Sequence, residues 1–200
     1  MTLQITTQIE MQLKDRNRTT ALFRAILVAP IAIYAMSFSD SSNWGDNTDY
    51  ATFAGIFVLP VVLTLLFRGV YPSYVLTFNK AMLNLSLRVC AYPLLLSDQY
   101  PAIEPDAKTF LEFPEIGDGK GLNRGLPLVK WLLAIPLYIV GAIYAIYALL
   151  LTAVAWITII FTGEYPEWCA AGVMGTIGYW NRVFGYAFVL VTDEYPSFSL

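Results

Sequence analysis

Apolar residues run almost unbroken over positions 20–38 and again over 51–67. Between them lies a polar stretch, 39–50, with Asp40, Asp46 and Asp49 and no Lys or Arg. Each run approaches the ~20 residues a helix needs to cross a bilayer. Arg68-Gly69-Val70-Tyr71-Pro72 then supplies the glycine and proline that stop a helix. Residues 20–67 therefore read as a transmembrane helical hairpin with a polar tip. A second apolar stretch, 126–161, contains a single charge, Lys130. As one helix it would be ~54 Å long, against a hydrocarbon core of ~30 Å.

The chain repeats itself. Asn17-Arg18-x3-Leu22-x-Arg24-x2-Leu27-x2-Pro30 recurs as Asn123-Arg124-x3-Leu128-x-Lys130-x2-Leu133-x2-Pro136. Phe67-x-Gly69-x-Tyr71-Pro72 recurs as Phe161-x-Gly163-x-Tyr165-Pro166, Arg88-Val89-x2-Tyr92 as Arg182-Val183-x2-Tyr186, and Asp98-Gln99-Tyr100-Pro101 as Asp193-Glu194-Tyr195-Pro196. Self-similarity of this kind marks a duplicated supersecondary unit whose copies pack together. Pro30 and Pro72 are 42 positions apart and Pro136 and Pro166 are 30 apart, a difference of 12 that equals the length of the polar tip 39–50. The expectation is a second hairpin over 126–161 with its tip deleted, turning near residues 141–147.

Each expected hairpin is followed by a less hydrophobic segment, 73–96 and 167–191. In the first, Val75, Phe78, Met82, Leu85 and Val89 recur at helical spacing while Asn79, Lys80, Asn84 and Arg88 fall elsewhere. That is the pattern of an amphipathic helix in the membrane interface or packed beneath the hairpins. In the second, Gly172, Gly175 and Gly178 form a row that reads either as a ligand cleft or as a seam of close helix approach. Gly117-x-Gly119-x-Gly121 is only superficially a phosphate loop, because no P-loop Lys-Ser/Thr follows it. Thr109-Phe110-Leu111-Glu112-Phe113 alternates like a strand, as does the N-terminal segment, predicting a small cytoplasmic β-element over the hairpin bases. The expected order is segment 1–16, repeat 17–101, linker 102–123 and repeat 124–200. The fold class is an all-α integral membrane protein of two tandem repeats, each a transmembrane helical hairpin plus an amphipathic interfacial helix.

Composition points the same way. The chain is 57% hydrophobic and 14% charged, with mean hydropathy +0.57, where soluble domains are about 25% charged. A net charge of −3 with scattered bases gives no footprint for nucleic acid. Histidine is absent, which removes imidazole from metal, haem and nucleophile chemistry. Cys90 and Cys169 are too few for a metal cage and read as small hydrophobes. No carboxylate pair falls at a spacing that suggests acid–base work, so no catalytic residue, metal or cofactor is predicted. All 12 Lys and Arg residues lie outside the two expected tips. The positive-inside rule then places both termini and the linker in the cytoplasm of a multi-pass protein. Residues 1–14 lack the basic start and apolar run of a signal peptide, so insertion is expected to rely on the first membrane helix.

Lys130-Trp131, Ala134-Ile135-Pro136, Phe161-Thr162-Gly163-x-Tyr165-Pro166, Trp180-Asn181-Arg182-Val183 and Thr192-Asp193-x-Tyr195-Pro196-x-Phe198 resemble a bacterial membrane family known as domain of unknown function 4389. The resemblance is strong over about 124–200 and weak over 17–101, so the chain resembles a tandem member. Leu137 and Ser197 stand where the family often has His and a second Pro, which departs from any histidine-dependent role. The resemblance implies a bacterial inner membrane location and supplies no ligand or catalytic residue.

Two non-enzymatic functions fit these features, the first the expected one and the second its alternative. The first is an accessory or scaffold protein packing against a larger membrane complex, with the row Gly172, Gly175 and Gly178 as the partner face. The second is a protein that binds or transfers a lipid or apolar small molecule at a site between the repeats. For the second, Arg18, Arg24, Arg88, Arg124, Lys130 and Arg182 are candidates to meet lipid headgroups, each worth ~1 kcal/mol near an anionic surface. The competing role for these cations is pairing with Asp98 and Asp193 or snorkelling to the interface. Expected partners are membrane lipids and other integral membrane subunits, not nucleic acid.

Overall fold

The computed structural model describes residues 4–38, 52–53 and 56–200. The expected polar tip 39–50 lies outside the described residues. The chain is mostly helical, with a small antiparallel sheet. Strand β1 (Thr6–Ile9) precedes helices α1 (Arg18–Leu27) and α2 (Ala29–Met36). The short pair β2 (Thr52–Phe53) and β3 (Ile56–Phe57) leads to α3 (Leu59–Arg68) and α4 (Ser73–Ala91). Strand β4 (Thr109–Glu112) and a 3-10 turn (Leu126–Leu128) then lead to α5 (Lys130–Leu133), α6 (Ile135–Thr162) and α7 (Glu167–Phe184), which ends in a π-helical turn, Gly185–Val189.

Local chemistry sets these boundaries. Asn17 caps α1 by accepting the Thr20 N–H at 3.1 Å. Pro30 and Pro136 sit in the first turns of α2 and α6, where the missing N–H costs nothing but a continuous helix from upstream is interrupted. Gly69 and Gly163 end α3 and α6 in the left-handed conformation, φ 63° and 79°, and donate their N–H to Leu65 at 3.0 Å and Ile159 at 2.8 Å.

The second hairpin is not there. Residues 135–162 form one uninterrupted helix, with no turn at 141–147. After Pro136 the segment holds no proline and one glycine, Gly141, and a single glycine costs only about 1 kcal/mol, too little to break a long helix. The buried positions show how the length difference arises. Ile31 and Leu137 are both buried one residue after Pro30 and Pro136, and Val61 and Leu65 match Ala155 and Ile159, counted back from Gly69 and Gly163. The start of α6 thus corresponds to α2 and its end to α3. The extra residues of the first half fall within a stretch that the second half builds as one helix. The helical segments 73–91 and 167–184 stand where amphipathic helices are expected, and the second runs straight through its glycines.

Gly141 has a packing role. A Cβ there would lie 2.7 Å from the Trp180 ring. Gly141→Ala gains about 1 kcal/mol of helix propensity, against about 1–3 kcal/mol for overpacking. A small net loss of stability is expected, measurable as a lowered Tm in detergent.

Strands β1 and β4 pair antiparallel, Thr6 opposite Glu112 and Ile9 opposite Thr109. A two-stranded ribbon is marginal alone, and this one lies along α4 and the C-terminal half of α7. On α4, Asn84 accepts the Leu111 N–H at 2.9 Å, Lys80 sits 5.2 Å from the Phe113 ring and Arg88 donates to the Ala102 carbonyl at 2.9 Å. On α7, Asn181 donates to Thr7 Oγ1 at 2.9 Å and Gly185 faces Ile5. The opposite faces hold other helices. Phe78, Met82, Leu85 and Val89 of α4 meet Val28, Ile31 and Ala35. On α7, Tyr179 donates to the Leu137 carbonyl at 2.8 Å, and Gly172 faces Leu151 and Tyr147 of α6. Three layers follow: the ribbon, then α4 and α7, then α2 and α6. The outer side of the last layer is apolar and uncovered, with Ile33 68% and Phe161 76% exposed. By length and composition, residues 18–36 and 135–162 are each long and apolar enough to cross a membrane.

Candidate functional site

Between their ribbon-facing and outer-layer-facing stripes, α4 and α7 carry a third, apolar face. Leu83, Leu87, Cys90 and Leu94 recur along α4 and its exit, and Ile177, Asn181 and Phe184 along α7. Together they line a cavity of ≈ 410 Å³, with Ala145, Ala148 and Leu149 of α6 and Ile56 of β3 completing the wall. That volume lies within the ~300–1,000 Å³ of small-molecule sites. The polar side chains in the wall are partly committed elsewhere: Asn181 to Thr7, and Thr176 to the Gly172 carbonyl at 3.0 Å. What the cavity offers a guest is mainly apolar contact. Leu149 lines it and is also 63% exposed, so the cavity runs out to the apolar side of α6.

The lining is matched about the sequence repeat. Leu83, Ser86, Leu87 and Cys90 stand in the same relation to Arg88 as Ile177, Trp180, Asn181 and Phe184 do to Arg182. The two cysteines differ sharply. Cys169 is buried, whereas Cys90 is exposed within the cavity. Sequence reasoning treated both as small hydrophobes and passed over the cavity leucines. The signal for them was present as a second apolar stripe on α4, at 83, 87, 90 and 94, beside the stripe that faces α2.

Buried ion pairs brace the surroundings. Asp98 accepts from Arg24, from Arg16 Nη2 at 3.0 Å and from the Asn17 N–H at 2.9 Å. Asp193 forms an ion pair with Lys130 Nζ at 2.6 Å and accepts from the Asn123 N–H at 2.6 Å. Arg24 donates to the Ser97 carbonyl at 2.8 Å and stacks 4.6 Å from the Tyr92 ring. Lys130 donates to the Thr192 carbonyl at 2.6 Å and sits 5.3 Å from the Tyr186 ring. Burial lowers Arg16 to about 10, with Asp98 opposing the shift, so it stays a cation at neutral pH.

Most of the predicted headgroup cations are therefore occupied. Arg24, Lys130 and Arg88 are buried, and Arg182 donates to the Ser199 carbonyl. Arg18 and Arg124 are exposed, and their guanidinium groups lie over Gly163 and Gly69 at the carbonyl ends of α6 and α3, where the helix dipole favours a cation. The glycines of the row part company. Gly172 packs inward on α6, Gly175 against the C-terminal Leu200, and Gly178 lies beside Arg182 and Thr7. They form no common outward face, because successive members are three residues apart and drift around the helix.

Reciprocal tyrosines join the halves. The Tyr71 hydroxyl donates to the Val189 carbonyl at 2.7 Å and that of Tyr165 to the Leu94 carbonyl at 3.3 Å. Burial raises Tyr71 to about 12, with Asn79 opposing. A raised folded-state value contributes stability that is complete below pH ~10 and lost as pH rises through about 12. Tyr71→Phe is expected to cost about 1 kcal/mol and to make the alkaline decline shallower, checked by unfolding at pH 8 and above pH 10.

No curated protein and no solved structure matches the chain. Residues 127–199, which span α5, α6, α7 and the segment carrying Asp193, match the sequence model of the family described as Domain of unknown function (DUF4389).

Proposed function

We propose that this chain is a membrane-inserted tandem of two related units, whose shared interior binds one apolar molecule of lipid-chain character. The observation that carries the reading is the cavity of ≈ 410 Å³ between α4 and α7, apolar in its walls and continuous with the exposed side of α6. The tandem reading draws support from the matched contacts: Arg24–Asp98 with Lys130–Asp193, Tyr71–Val189 with Tyr165–Leu94, and Arg18 over Gly163 with Arg124 over Gly69. We take the membrane to be the bacterial cytoplasmic membrane. No reaction is assigned, since the walls carry no paired acid and base.

The scaffold reading draws on the apolar outer faces of α2 and α6, which bilayer lipid covers equally well. Its proposed contact row, Gly172 to Gly178, has internal neighbours instead. Native mass spectrometry of the full chain purified in mild detergent separates the two. One retained lipid per chain is expected. A stoichiometric protein partner with no retained lipid would favour the scaffold and overturn the ligand reading.

A further inference from the structure

We infer that the protein seats in one leaflet, with α4, α6 and α7 lying along the membrane plane, α6 on the hydrocarbon side and the β1–β4 ribbon on the water side. This rests on the membrane part of the reading above and not on the ligand. The layer order gives the direction. Asn181 and Gly185 of α7 face the ribbon while Tyr179 and Gly172 face α6. On α6 the face toward α7 holds Leu137, Gly141 and Leu151, all buried. The far face holds Ile139, Ile143, Ile146, Leu150, Ile157 and Phe161, each more than half exposed. Polar ribbon and bare apolar stripe are thus on opposite sides of α7.

The position of the ribbon decides between lying flat and spanning. It reaches the last turn of α7 at Asn181, but its charged end lies beside the helix middles: Gln8 and Glu10 near Met174 of α7, and Leu111 and Phe113 at Asn84 and Lys80 of α4. On it, Glu10 and Lys108 pair at 3.5 Å with side chains 63% and 60% exposed, and Gln8 donates to Glu112 at 2.7 Å. If α4 and α7 crossed a bilayer, these groups would hang in the middle of the hydrocarbon. Exposed charge and open strand edges are not tolerated there. With the helices in the plane, the ribbon faces water and every residue of the far stripe of α6 meets acyl chains. The length of α6 agrees: its ~42 Å exceeds a ~30 Å core, yet its apolar face is exposed from end to end. The same seating puts the cavity mouth beside Leu149 at the acyl chains.

Spin-label depth measurements on the full chain in phosphatidylcholine vesicles test this. Ile139→Cys, Ile146→Cys, Ile157→Cys and Phe161→Cys are labelled one at a time in a Cys90→Ser background, where Cys169 is buried. Collision rates with oxygen and with a water-soluble nickel complex report depth. In-plane seating predicts similar depths for all four, within one leaflet, and a water-exposed label at Gln8→Cys. A steady progression from one interface through the bilayer centre to the other would overturn it. Four water-exposed labels would overturn it too, and would remove the membrane from the account while leaving lipid retention in detergent as a separate result.

Discussion

Asp98→Asn is expected to cost about 3–5 kcal/mol of stability, the range for breaking a buried ion pair by removing one partner. One carboxylate serves two buried cations, Arg16 and Arg24, whose side chains are 0% and 2% exposed. The amide keeps an acceptor but no charge, so both guanidinium groups stay buried without a counter-ion. It also weakens the bond to the Asn17 N–H that fixes the start of α1. Asp193→Asn should cost less, because it strands one buried cation, Lys130, where Asp98→Asn strands two. Denaturant unfolding in mild detergent should rank the variants wild type, Asp193→Asn, Asp98→Asn. The reverse order for the two variants would mean that the shared carboxylate is not what holds the first cluster together.

Leu87→Trp is expected to weaken binding of an apolar guest more than tenfold, ~1.4 kcal/mol or more. Leu87 stands on the cavity-facing stripe of α4 opposite Ile177 and Phe184. Indole projected toward the cavity displaces the guest, at an overpacking cost of about 1–3 kcal/mol, since Leu87 is itself buried. Ile143→Trp, on the outward face of α6, controls for added bulk and should leave binding unchanged. Titration with a fluorescent fatty acid gives both affinities. Equal affinity for Leu87→Trp and wild type would place the guest elsewhere.

How much of this was legible in the sequence depended on which residues carried the signal. The stop at Gly69 and the two helices after the Tyr-Pro pairs were readable, because proline and glycine act locally; the breaks before Pro30 and Pro136 were not expected, since both apolar runs were read straight through their prolines. The Asp98 and Asp193 clusters were foreshadowed by their repetition, and Thr109 to Phe113 by its alternation. The second hairpin failed because a length difference was read as a lost tip. The segment is one helix, and arithmetic alone does not separate a hairpin without its tip from a helix that runs straight through. The cavity was hidden because Leu83 and Leu87 look like any buried leucines; only the three-way packing of α4 leaves them facing a void. The ribbon's position on α4 and α7 was equally beyond reach, since it depends on contacts such as Asn84 to Leu111 across the linker.

The most direct test of an apolar guest between α4 and α7 uses the native thiol in the wall. Desolvation by the apolar cavity walls raises the Cys90 thiol above its ordinary value, so maleimide labelling is followed at mildly alkaline pH, on delipidated protein and on protein loaded with a long-chain fatty acid. Cys169 is fully buried and stays silent. The account predicts that loading slows Cys90 labelling at least tenfold and that Leu87→Trp slows it without any guest. Labelling at the same rate with and without the fatty acid, although the acid is bound, would contradict it.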